Sequence, residues 1–203
     1  MTVSIIADAL KDITEYFEAL PEIATKAMVI AVNETARDSE VDFRDEMRKQ
    51  ISFPRNYLRG NRFGVTRKAT RGAIEATISA RDRPTSLARF AGNATPENSR
   101  GKALTLRVKA AGRAVKMVRQ DGKPSAFLVR LKNNNVGLAV RLRPGEQLAN
   151  STGAVQLANN LYLLYGPSVD QVFQDVADKG TPEVQRIATQ KFFRQFARLS
   201  GRG

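Results

Sequence analysis

The chain reads as an α+β protein: a mostly antiparallel sheet covered by long N-terminal and C-terminal helices, with extended loops. Three patterns predict this. Residues 1–50 and 168–199 repeat apolar side chains every three or four positions, residues 73–80 and 104–142 alternate apolar with polar, and residues 91–102 and 146–160 are polar and small.

Val3, Ile6, Leu10, Ile13, Phe17 and Leu20 form one apolar stripe opposite Asp8, Lys11, Asp12, Glu15 and Glu18, which predicts an amphipathic helix. Pro21 interrupts it and suits the first position of the next helix, which is expected to reach about Gln50. Its stripe reads Ile23, Ala27, Ile30, Ala31, Thr35, Asp38, Val41, Arg44 and Asp45, narrower and more polar. Phe53-Pro54 ends that helix. Phe53, Tyr57 and Phe63 then stand among Arg55, Arg59, Arg62 and Arg67, a mixture that serves either a docking loop with buried rings or a surface that stacks bases and grips phosphates.

Ala73 to Ala80 is a half-buried strand with Ile74, Ala76 and Ile78 on one face. Residues 91–102 are a long loop. Leu104, Leu106 and Val108, then Val115 and Met117, then Phe127, Val129 and Leu131, then Val136, Leu138, Val140 and Leu142 mark further strands. Asn133-Asn134-Asn135 is a hairpin loop, because asparagine tolerates the left-handed backbone of tight turns. On this pattern one face of the sheet is apolar, and the other presents Arg107, Lys109, Lys116, Arg130, Lys132, Arg141 and Arg143 together. Like charges side by side repel, so such a face calls for an anionic partner or for the acidic N-terminal helices of the same chain.

Glu146 to Asn160 is expected to be a loop or arm. Leu161 to Tyr165 is a buried strand that Gly166-Pro167 stops, and Ser168 is an N-cap with Gln171 and Asp170 behind it. The helix is expected to pause at Gly180. Thr181 then caps and Pro182 opens a last helix through Phe192, Phe196 and Leu199. No repeat or domain boundary is visible, so the chain is read as a single domain with an acidic helical region (1–50), a basic strand-rich region (51–145), an arm (146–160), and a strand with C-terminal helices (161–203).

Charge is the most informative part of the composition. The net charge of the 203 residues is +13, yet residues 1–50 hold 6 Lys/Arg against 11 Asp/Glu, while residues 51–145 hold 21 against 4. That imbalance favours an anionic partner, either nucleic acid or an acidic protein surface. There is no cysteine and no histidine, which removes thiol chemistry and the commonest general base and metal ligand. The acidic N-terminal stretch is unlike a signal peptide, and no apolar run reaches the ~20 residues that span a bilayer, so no membrane partner is expected. With no phosphate-binding glycine motif and no clustered carboxylates in the basic region, neither an enzyme nor a cofactor is expected.

A strand ending in Tyr165-Gly166-Pro167-Ser168-Val169 and leading into a C-terminal helix resembles the minor tail protein Z, or tail-completion, proteins of long-tailed bacteriophages. The Ala31-Val32-Asn33-Glu34-Thr35-Ala36-Arg37 helix, the basic middle and Ala126-Phe127-Leu128-Val129-Arg130-Leu131-Lys132 follow the same order. The resemblance implies a virion protein of the tail neck, present in the host cytoplasm during assembly, that completes the tail before head joining. It also implies a homo-oligomeric ring, six copies to match the tail, in contact with tail-terminator, tail-tube or connector proteins. A nucleic-acid-binding protein that lays its basic sheet on a phosphate backbone, genomic DNA included, is the alternative.

Overall fold

The computed structural model describes residues 2–6, 14–148 and 153–201. The elements are β1 (Thr2–Ile6), α1 (Thr14–Ala19), α2 (Pro21–Gln50), β2 (Phe63–Arg67), β3 (Glu75–Ala80), β4 (Pro84–Ser86), β5 (Thr105–Leu106), β6 (Val115–Lys116), β7 (Ala126–Arg130), β8 (Val136–Arg141), β9 (Ala154–Ala158), β10 (Leu161–Ser168) and α3 (Val169–Leu199). Among the described residues all the strand pairing is antiparallel. The fold class is α+β. Where composition showed no boundary, the chain divides into two compact units, residues 1–47, 58–81 and 170–203 against residues 48–57 and 82–169. The division is invisible in the sequence because one crossing falls inside α2 and none has the composition of a linker.

The first unit pairs a three-stranded sheet, in the order β1-β3-β2, with the two long helices. α2 and α3 run antiparallel, since Glu34 meets Arg194 and Gln195, Asp38 meets Lys191, and Phe43 meets Gly180. The small residues Ala24, Ala27, Ala31, Ala36 and Ser39 on the buried side of α2 permit close approach, and Met28, Phe43 and Met47 fill what remains. The buried stripe of α2 keeps Ala27, Ala31 and Thr35 of the expected one but departs from it elsewhere: Val41 is 47% exposed and Asp38 is exposed, whereas Ala24, Met28, Val32 and Phe43 are inside. Alanine and serine carry little hydrophobic signal, so periodicity alone left the edges of the buried face undefined.

The expected N-terminal amphipathic helix is corrected. Residues 2–6, Val3 and Ile6 included, form β1 against β3. Helix begins only at Thr14, and Leu10, Ile13, Asp8, Lys11 and Asp12 lie outside the described residues. Thr2 to Ile6 is rich in β-branched residues, which suits a strand as well as the stripe suits a helix. In α1, Tyr16 packs edge-on against Phe196 at 4.9 Å between ring centroids, and Phe17 stacks on Phe192.

α3 does not pause. It is one helix of 31 residues with Pro182 inside it. Pro182 and Asp178 are both exposed, so the carbonyl that loses its i+4 donor lies on the solvent side, and Thr181 Oγ donates to Ala177 O at 2.7 Å instead of capping. Gly180 has a packing role: a Cβ there would sit 2.6 Å from Cε1 of Phe43.

The second unit is built on a five-stranded sheet in which β4, β10, β8 and β7 follow one another and β9 pairs with β10, beside the two-stranded β5-β6 ribbon. Its core joins Leu104, Leu106, Ala126, Leu128, Leu138 and Val140 with Ala88 and Ala91. The cover on this sheet face thus comes from the short 3-10 turn Leu87–Phe90 and from residues 91–106, where long helices had been expected. Two further expectations are revised here. Residues 154–158 of the expected arm are strand β9. The strand of the corner continues through Gly166 and Pro167 to Ser168, because Pro167 sits in a bulge against β4 where no ladder donor is needed. The asparagine hairpin is as expected, with Asn134 at φ 62 and Leu131 N–H donating to Asn135 O at 2.8 Å.

Candidate anion-binding surface

The second unit carries the whole charge imbalance. It holds 17 Lys/Arg against 4 Asp/Glu, a net charge equal to that of the entire chain, while the first unit holds 16 of each. Three of its four carboxylates are engaged by arginines. Glu97 meets Arg130 at 3.1 Å, Asp121 meets Arg143 at 3.0 Å, and Glu146 pairs with Arg119. These contacts hold all three carboxyls below the usual carboxylate range. For Glu97 the first cause is its own backbone N–H and then Arg130; for Asp121 it is the Lys123 N–H and then Arg143; for Glu146 it is Arg119 and then the Arg143 N–H. The acids stay ionised, and the surplus of cations defines the surface.

The seven cations of the expected basic face do not share one sheet face. Arg107, Lys109 and Lys116 are all exposed, Lys116 in β6 and Arg107 and Lys109 just beyond the end of β5. Thr105 pairs with Lys116, and Thr105, Arg107 and Lys109 are exposed while Leu104 and Leu106 are buried, so the period-two reading holds there. Lys109 also bridges to Ile51, and Ala110 N–H donates to Gln50 O at 2.9 Å, which pins the ribbon to the end of α2. Arg130 and Lys132 stand at the hairpin end of β7, where Arg130 also donates to Asn134 Oδ1 at 3.0 Å.

Arg141 and Arg143 lie at the far end of β8. Arg130 pairs with Val136, on the same face as Leu128 and Leu138, whereas Arg141 follows the parity of Ala139 on the opposite face. Five residues of β8 separate the two ends, roughly 16 Å at the rise of a strand. Parity went astray because four successive residues of β7, Ala126 to Val129, are apolar, and only pairing with β8 decides which pair turns inward; Phe127 is 38% exposed and Leu128 is buried.

One organising residue was missed. Arg119 engages Glu146 and also donates to Arg141 O at 2.6 Å, tying the 119–123 turn to the end of β8. The turn closes with Arg119 N–H donating to Lys123 O at 2.8 Å and Gly122 N–H donating to Arg119 O at 3.0 Å. Asp121-Gly122 is a turn signal that would have located it, since Gly122 sits at φ 76. Beside this turn an open cleft of about 990 Å³ is lined by Met117, Val118, Leu148 and Leu164 together with Arg141 and Arg143.

The rings are not a stacking platform. Phe53 and Tyr57 are buried and stack on each other at 5.7 Å, and Phe63 is 1% exposed. Arg55, Arg59 and Arg67 are exposed, which is the docking-loop arrangement. At the corner, Tyr165 N–H donates to Gly153 O at 2.7 Å, Gly166 lies so close to Leu87 that a Cβ would be 2.9 Å from its Cδ2, and Ser168 is buried immediately before α3. Of the corner residues, Gly166 and Ser168 thus serve packing, while Tyr165 holds the backbone to Gly153 and Pro167 occupies the bulge against β4. Among the described residues no group of three or more acidic side chains is placed to hold a metal ion, and no helix is long and apolar enough to cross a membrane.

Comparison of the chain with protein-family models, with characterised proteins and with solved structures finds no match.

Proposed function

We propose that this chain is a structural assembly protein of the phage tail-completion, or neck, type, acting by binding rather than turnover. The observation that carries the reading is the segregation of charge: a compact unit with 17 basic and 4 acidic residues is joined to a unit of balanced charge. A field of that size draws an anionic neighbour and orients it. The order of the sequence segments that resemble tail-completion proteins supplies the setting, a ring of copies at the head-proximal end of a tail. Its test is genetic. Deleting the chain from a phage that encodes it is expected to leave finished heads and tails unjoined in electron micrographs, and joined, infectious particles would overturn the proposal.

Duplex nucleic acid is a second reading, favoured by the exposure of Arg107, Lys109 and Lys116 in and next to the β5-β6 ribbon. With the aromatic rings buried, contact would be to phosphates alone. Affinity would then fall steeply with salt and be indifferent to base sequence.

A further inference from the structure

In the most basic part of this protein, residues 147–169 contain no charged side chain. This segment builds β9 and β10. Among the described residues β9 pairs with β10 alone and β7 with β8 alone, so both are edges of one sheet. β9 reads Ala154-Val155-Gln156-Leu157-Ala158, without the lysine or proline that usually protects an exposed edge, and a bulge at Leu157 leaves Ala154 to Gln156 as its regular part. Val155 is 52% and Leu157 48% exposed.

The register shows what fits this edge. Phe127 of β7 pairs with Ala139 of β8, Ala139 with Leu163 of β10, and Leu163 with Val155 of β9. One row of apolar side chains therefore crosses the whole sheet. Its middle members are buried, Ala139 at 0% and Leu163 at 4%, while its two ends, Phe127 at 38% and Val155 at 52%, are exposed. Strand directions alternate along β7, β8, β10 and β9, so a β7 placed beside β9 in the same sense would again be antiparallel. In the register that extends the row, Val155 faces Phe127, Ala154 faces Leu128 and Gln156 faces Ala126, with no charge among them.

We propose that the occupant of the β9 edge is strand β7 of a second copy of this chain, so that the sheet continues from copy to copy with Val155 beside Phe127 of its neighbour. Such a contact joins two different patches, and it generates a closed ring when the rotation per copy closes. The inference rests on the self-association contained in the proposed function and names its surface. It explains why β9 and the Ala126 to Val129 part of β7 are uncharged although the unit as a whole repels its own kind: main-chain hydrogen bonds and apolar ends are brought together where no like charges meet.

The absence of native cysteine makes the test direct. Phe127→Cys and Val155→Cys are made separately, mixed, and oxidised, while light scattering follows the mass of the wild-type protein. Directly opposed antiparallel residues have Cα atoms about 4.5–5.5 Å apart, within the span of a disulfide. A cross-linked dimer is expected from the mixture and from neither variant alone, and Val155→Lys is expected to reduce the assembly to monomers with unchanged circular dichroism. Cross-linking by Val155→Cys alone would mean that β9 meets β9 across a two-fold axis and would overturn the head-to-tail pairing. A wild-type oligomer whose mixed variants do not cross-link overturns the edge while sparing self-association, and a wild-type monomer at every concentration overturns both.

Discussion

Gly180 provides the sharpest test of the packing. A glycine inside a helix is ordinarily a weakness, and replacing it with alanine is expected to stabilise by about 1 kcal/mol. Here the added Cβ would stand 2.6 Å from Cε1 of Phe43, whose ring is 4% exposed and lies edge-on to Phe173 at 5.6 Å. The ring cannot swing aside without displacing Phe173, which is itself fully buried. Overpacking of this kind costs typically 1–3 kcal/mol, so Gly180→Ala is expected to destabilise by about 1 kcal/mol net. At this chain length that lowers the melting temperature by roughly 2–4 °C. The assay is urea and thermal unfolding followed by far-ultraviolet circular dichroism. Combining Gly180→Ala with Phe43→Leu should recover part of the glycine substitution's own cost, because the two changes share one contact. If Gly180→Ala alone raised stability, Gly180 would be a mere helix weak point and the close approach of α2 to α3 would be refuted.

Other substitutions test separate joints. Asn33 donates to Ala69 O at 2.9 Å and accepts from Ala69 N–H at 2.8 Å, so Asn33→Ala should cost about 2 kcal/mol in chemical denaturation, from two hydrogen bonds of about 1 kcal/mol each. Glu40 accepts from Val65 N–H at 3.1 Å and pairs with Arg44; Glu40→Ala should cost about 1.5–3 kcal/mol, and a loss below a few tenths would show that this link between α2 and β2 contributes little. The carboxyls of Glu97, Asp121 and Glu146 are held low, so their contribution to stability is complete above the ordinary carboxylate pKa and is lost as pH falls through the lower folded values. The triple variant Glu97→Gln, Asp121→Asn, Glu146→Gln should therefore show a flatter acid limb below about pH 4 in a pH-melting series. An unchanged limb would count against these pairs.

What the sequence made legible follows from how local the signal is. The period-two runs of β3, β5 and β8, the asparagine hairpin and the start of the last helix directly after Ser168 depend on neighbours a few residues apart, and all of them stand in the structure, although the strand before that helix runs on through Gly166 and Pro167. β9 was hidden in a polar, small-residue stretch because an edge strand needs only one partner and little burial, and Gln156 and Ala158 look like loop. The single basic face failed for a different reason. Arg130 and Arg141 have the same local alternation, and only the β7-β8 register, a property of pairing between distant residues, puts them on opposite faces. The concentration of charge survived this error because it depends on which segments fold together more than on parity: 15 of the 21 basic residues of the middle belong to the second unit, and the other six lie in residues 58–81 of the first. Pro182 misled because proline at a helix start and proline on the solvent side of a continuing helix look alike in sequence.

The central claim is that the basic unit serves assembly between protein copies and their neighbours. Its most direct test is the solution mass by light scattering at low and moderate salt, with and without duplex DNA. A closed oligomer of one defined mass in the absence of DNA is the predicted result. A monomer at every concentration that binds duplex DNA at low salt and releases it steeply as salt rises would contradict the claim and leave the nucleic-acid reading in its place.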